Sequence, residues 1–226
     1  MMKGALIRVI QVFNRKDLFF RAVIAVFAIG SLLLRSAFAE ERITDQIGVA
    51  VLENKVFAAT SGEGLVRADL SAGERVIAIE SRGVNAFVQT STRLLAFSEK
   101  VKRWDGVRLD LFDRVVEVRV TPRLIWVRTQ KNLYAFQAAA GKWRGESLST
   151  QETFRETFVG ENIAIGVTDR RALGFSAFVG GFFQTDLSND ESITESSVND
   201  NVAILTTPNR KLIFRSQVGT WADVRQ

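Results

Sequence analysis

The chain has 226 residues, 46% of them apolar and 24% charged, with no cysteine and no histidine. That is enough apolar material for a buried core, and the missing residue types remove disulfides, thiolate nucleophiles, Cys/His zinc sites and all imidazole acid–base chemistry, serine triads included. The formal charge of +5 is local: residues 1–39 hold six basic side chains against Asp17 alone, and the 24 basic and 24 acidic side chains that follow cancel, so the folded part has no bulk attraction for nucleic acid.

The chain opens with a leader. Lys3, Arg8, Arg15 and Lys16 precede an apolar stretch over residues 22–34, and Ala37, Phe38 and Ala39 form an A-x-A cleavage site before Glu40. This predicts a signal peptide over residues 1–39 and a periplasmic or secreted mature chain. The apolar stretch is shorter than the ~20 residues of a bilayer span. Extending it back through Leu18, Phe19 and Phe20 makes an uncleaved N-terminal anchor the alternative, with the rest of the chain still outside the cytoplasm.

From residue 53 onward an internal period governs the sequence. Phe97, Phe136, Phe175 and Phe214 are spaced by 39 residues, as are Trp104, Trp143, Phe182 and Trp221, and Thr90, Thr129, Thr168 and Thr207. Each unit begins with an apolar run ending in Thr (residues 85–90, 124–129, 163–168 and 202–207). A polar turn and a second run ending in Phe follow, then a third run carrying the Trp or Phe, then a fourth carrying Val120, Val159 or Val198. Short β-branched and aromatic runs between polar turns are strands, and a repeat of this length with four strands per unit is a blade.

The first unit is degenerate. Aligning residues 53–60 with 161–168 makes it 30 residues long and places the missing residues between Leu70 and Glu74, where a third strand is expected to be lost or trimmed. The resulting units are 53–82, 83–121, 122–160, 161–199 and 200–226, the last completed by residues 40–52, whose Val51 then falls on the Val column. The expectation is an all-β domain over residues 40–226, a five-bladed β-propeller closed by the N-terminal strand of the mature chain, a device that leaves no open sheet edge. An open β-solenoid is the alternative architecture.

The segment LYAFQAAAGKW at residues 133–143 resembles the repeat of pyrroloquinoline-quinone-type propellers, and TSGEGLVRADLSAG at residues 60–73 is similar to an Asp-box repeat whose Asp-x-Gly turn is eroded. Each resemblance covers one unit and implies the blade architecture. Neither carries functional residues over, the quinone-binding motif has no counterpart here, and no cofactor is expected.

Three sets of residues are candidates for function. The turn after the first run of each unit carries Arg93, Asn132, Arg171 and Arg210, which a propeller would bring to one face as a basic ring suited to an anionic glycan, a lipid head group or an acidic protein surface. The bland reading is solvated turn residues. Trp104, Trp143, Phe182 and Trp221 read first as blade-to-blade packing and second as stacking platforms of a carbohydrate-binding, lectin-like propeller. The Thr column reads as turn satisfaction.

Residues 186–201 are rich in acids and hydroxyls but lack the spacing of a calcium loop, so no metal site is expected. A glycoside hydrolase would need paired carboxylates lining the channel, and the runs taken as innermost contain no Asp or Glu. The function expected is a non-catalytic, protein-binding scaffold, with a lectin and then a glycoside hydrolase behind it.

Overall fold

The computed structural model describes residues 47–225 other than Glu63 and Asn189; the leader and its cleavage site lie outside the described residues. Those residues form strands and turns only. Five antiparallel sheets follow one another along the chain. The first has β1 (Ile47–Leu52), β2 (Lys55–Thr60) and β3 (Leu65–Asp69). The second has β4 (Val76–Arg82), β5 (Asn85–Thr90), β6 (Arg93–Ser98) and β7 (Arg103–Arg108), and the third β8 (Val115–Val120), β9 (Leu124–Thr129), β10 (Asn132–Gln137) and β11 (Lys142–Ser147). The fourth has β12 (Phe154–Val159), β13 (Ile163–Thr168), β14 (Arg171–Ser176) and β15 (Gly181–Asp186), and the fifth β16 (Glu195–Val198), β17 (Val202–Thr206), β18 (Arg210–Arg215) and β19 (Thr220–Arg225). Within each sheet the strands pair in chain order as a meander.

Sheets pack face to face on their neighbours in the chain. Phe87, Leu94 and Ala96 of the second sheet meet Ile125, Val127, Tyr134 and Phe136 of the third, and Ile163, Ile165 and Val167 of the fourth meet Ala203, Leu205, Leu212 and Phe214 of the fifth. Hence β5, β9 and β13 are buried on both faces, and the apolar runs of the sequence do not alternate there. A polar lattice repeats the same step: Ser98 Oγ donates to the Ala138 carbonyl (2.6 Å), Gln137 Nε2 to that of Ala177 (2.9 Å), and Ser176 Oγ to that of Ser216.

The turn between the third and fourth strands of a sheet needs a left-handed residue, which Gly141, Gly180 and Gly219 supply with φ of 59°, 73° and 62°. In the second sheet Lys102 holds that place at φ 49°, a conformation that costs a side-chain-bearing residue about 1 kcal/mol.

The structure corrects the sequence reading in three places. The fourth run of each unit pairs with the first run of the next, Val120 opposite Ile125 for example, so the sheets are out of phase with the units. Consequently residues 85–90 and their counterparts are second strands with neighbours on both sides and cannot line a channel, which removes their lack of acids as an argument against a hydrolase.

The first unit is also aligned differently. Leu70 N–H donates to the Asn54 carbonyl as Leu109 N–H does to that of Thr92, so residues 53 and 54 are the turn between first and second runs. β1, β2 and β3 therefore correspond to β5, β6 and β7; among the described residues the first sheet has no counterpart of β4, and the third run, expected to be lost or trimmed, is present as β3.

Finally, β1 pairs with β2, and the fifth sheet draws all four strands from residues 195–225. Residues 47–52 do not complete it, and none of the core clusters joins the first sheet to the fifth. The faces that closure would bury are open. Leu52 and Leu65 are exposed on the first sheet. On the fifth, Lys211 and Arg215 are exposed where the corresponding Leu94, Leu133 and Ala172, and Ser98, Gln137 and Ser176, are buried.

Candidate functional site

Each sheet after the first is tied to the loop that enters it by an acid, a threonine and a turn residue. The acids Glu74, Asp113, Glu152 and Glu191 form a further column at 39-residue spacing. They sit in turns that follow Leu70, Leu109, Leu148 and Leu187, where the acid's N–H donates three residues back, as Glu191 does to Ser188. Glu191 Oε1 accepts from Thr207 Oγ1 (2.7 Å) and Arg210 Nε (2.7 Å), while its Oε2 takes Arg210 Nη2 (2.7 Å) and the Ser188 N–H (3.1 Å). Glu152 does the same with Arg171, at 2.8 and 3.1 Å, and Glu74 with Arg93 Nε at 2.7 Å.

The carboxylates are nearly inaccessible, with side-chain exposures of 1%, 3% and 2% for Glu74, Glu152 and Glu191. Burial opposes their ionisation, yet hydrogen bonds from arginine, threonine and backbone N–H outweigh it. For Glu191 the Arg210 hydrogen bonds are the leading cause, and they hold its carboxyl down at about 2. For Glu74 burial is the largest influence, and the hydrogen bonds from Arg93, Thr90 and Ser71 still bring it to about 2. Glu152 is lowered against burial by the same set, Arg171, Ser149 and Thr168.

The four turn residues occupy equivalent positions in their sheets, and Arg93, Arg171 and Arg210 are each ion-paired to a buried acid. Arg171 further engages Glu146 (2.9 Å) and Arg210 engages Asp223 (2.8 Å). Asn132 donates to Asp113 Oδ2 (2.7 Å). The expected basic ring is thus compensated group by group, and its members act as staples between loop and sheet. The Thr column behaves as read: each Oγ1 accepts the N–H three residues on, from Arg93 (3.0 Å) to Arg210 (3.1 Å).

The aromatic column is packed as well. Ring centroids of Trp104, Trp143, Phe182 and Trp221 lie 5.0–5.4 Å from those of Phe97, Phe136, Phe175 and Phe214 in the adjacent strand. Trp104 Nε1 donates to the Val66 carbonyl and Trp221 Nε1 to that of Phe183, both 2.9 Å and both in the preceding sheet. Phe182 also meets Trp126 across the sheets at 5.9 Å. In residues 186–201 the acid that stands out is Glu191, which is fully engaged by its staple.

What sequence reasoning missed is one divergent turn. Between Leu and the acid the turns carry Ala72 and Gly73, Thr150 and Gln151, Asn189 and Asp190, but in the third sheet Leu111 and Phe112. These two are 90% and 76% exposed, the largest values among the exposed apolar side chains. Leu111 lines a cleft of about 380 Å³ together with Ile77, Gln89, Leu109, Arg114 and Val115 among others. The signal was in the sequence, as two large apolar residues at positions the repeat keeps small or polar.

No family model matches the chain and no curated protein does. Among solved structures it is similar to the N-terminal domain of Nup159 (11% identity, TM-score 0.34, covering 80% of this chain and 58% of that one). It is also similar to Prp20p from Saccharomyces cerevisiae (10%, 0.38, 76% and 56%) and to the extracellular domain of a putative one-component system, BT4673, from B. thetaiotaomicron (13%, 0.31, 84% and 29%). The chain spans little more than half the length of the first two.

Proposed function

We propose that this chain is an exported, non-catalytic, propeller-like scaffold of five blades that binds a protein partner at the turn over residues 110–113. The observation that carries the reading is the pair Leu111 and Phe112, presented to solvent beside a cleft on a turn whose equivalents are small or polar. A largely exposed aromatic and aliphatic pair at a turn tip is the chemistry of an interface anchor. Export rests on the basic and apolar leader with its A-x-A site. The staples support a scaffold role, since they fix each loop against its sheet and neutralise the charged groups that catalysis or anion binding would use.

The test places a photo-crosslinking amino acid at position 111 or, as control, at the equivalent position 150, in cells that express the full chain. A discrete protein adduct from 111 and none from 150, lost in a chain carrying Phe112→Ser, is the expected result. Equal labelling from both positions, or adducts to lipid alone, removes the reading. Fractionation of the same cells locates the chain, and recovery in the cytosol with Met1 intact removes export.

A further inference from the structure

The first sheet is incomplete on one defined edge. Sheets two to five each place a strand, β4, β8, β12 or β16, against the edge of their first-run strand that faces away from the second run. Among the described residues β1 has no such neighbour, and its far side pairs with β2. The strand offers no defence against pairing. Its sequence, IGVAVL, has no charge, no proline and no bulge, the very devices that edge strands use to repel a second chain.

The edge also has a specific complement, because β1 closely resembles β13. IGVAVL aligns on IAIGVT with Ile47 at Ile163, Val49 at Ile165 and Val51 at Val167, and with Gly or Ala between them in both. β13 receives β12 antiparallel, with Glu156 opposite Val167, Thr157 opposite Gly166, Phe158 opposite Ile165 and Val159 opposite Ala164. Phe158 then packs into the core between the fourth and fifth sheets. The same register on β1 would put an aromatic opposite Val49, a half-buried residue at the margin of the clusters between the first and second sheets.

We propose that the free edge of β1 is a docking site for an extended, antiparallel strand of a partner protein, with an aromatic or β-branched residue opposite Val49 and small or polar residues alternating with it. Backbone hydrogen bonds would supply affinity and the aromatic would supply register, as in strand addition generally. The site is separate from the Leu111 turn and does not depend on it.

The probe is a synthetic peptide of residues 153–160, TFRETFVG, added to the full chain, with a scrambled peptide and a Phe158→Ser peptide as controls. Hydrogen exchange should slow by about tenfold or more at amides of residues 47–52, and not at the edge strands β7 or β19. Two peptides N-methylated on alternate residues should separate, one still binding and the other not, since only one edge of the peptide donates. Both N-methylated peptides binding, the scrambled or Ser peptide protecting equally, or no protection at all each overturns the proposal. So does protection, in the chain alone, of those β1 amides that face away from β2: if it rises with protein concentration a second copy covers the edge, and if it does not, the chain covers the edge itself.

Discussion

The loop entering the third sheet and the loop entering the fifth solve one problem with different chemistry. In the fifth, a guanidinium and a carboxylate, 19% and 2% exposed, face each other at 2.7 Å with a threonine between them. In the third, Asp113 receives Thr129 Oγ1 (2.7 Å), Asn132 Nδ2 (2.7 Å) and the Lys131 N–H (3.1 Å), and Asn132 Oδ1 accepts from Ser147 (2.7 Å). The comparison teaches that loop-to-sheet stapling needs donors at a fixed place and not a positive charge. Where the cation has been dispensed with, the turn tip has also changed from small or polar to apolar, so that one sheet and its entry loop depart from the repeat at two places.

The largest effect is expected from stranding the cation. Glu191→Ala leaves the Arg210 guanidinium with Asp223 and the Asp186 carbonyl but without its buried carboxylate, and removing one partner of a buried pair costs about 3 kcal/mol. Asp113→Ala leaves a neutral amide, a hydroxyl and one N–H without their acceptor, for about 2 kcal/mol. Urea unfolding of the two variants gives the order directly. Equal losses would mean that the charge in the fifth-sheet staple makes no difference and that the two solutions are one.

Acid should sharpen the contrast next. Glu74 and Glu191 are held at about 2, below the ordinary value of 4.5 for the free side chain. A carboxyl lowered by folding contributes stability that is complete above its unfolded value and disappears as pH falls through the folded one. Stability should therefore decline between about pH 4.5 and pH 2. The steepness of that decline should be reduced in the double variant Glu74→Gln, Glu191→Gln, as read from thermal midpoints at a series of pH values. An unchanged pH profile would assign the acid sensitivity to other groups.

The same two loops show how far the sequence could be read. The 39-residue period and the strand-forming runs were legible because packing on both faces holds the Thr, Phe and Trp columns fixed. A period does not reveal where a sheet begins, since four strands taken in rotation give the same spacing, and so the fourth run was assigned to the wrong sheet. The first unit misled for a related reason. Ala59 stands where Phe97 packs and Leu52 where Thr90 caps, so the columns fade and Thr60 imitates the missing Thr. The turn Leu70 to Glu74, 39 residues before Leu109 to Asp113, was the better anchor. The staples were half visible, as a run of turn cations, but their acids lie 19 residues earlier in loops, with Asp113 standing where the other three are Glu, and only the folded chain joins them.

The smallest effect is the one that bears on function. Replacing Leu111 and Phe112 together by Thr and Gln copies the tip that the fourth sheet carries at Thr150 and Gln151. If the apolar tip exists for a partner, the fold should not notice: both side chains are solvent-exposed, and such substitutions change stability by within about 0.5 kcal/mol. Their removal relieves an unfavourable exposure and leaves Asp113 and its three donors untouched, so any small shift should be toward greater stability. A loss of more than about 1 kcal/mol in urea would show that Leu111 and Phe112 help hold the cleft beside Ile77 and Val115, and the difference between the two loops would then be one of packing. A neutral result, together with loss of the crosslinked adduct in the same doubly substituted chain, would leave recognition as the reason the third loop differs from its repeats.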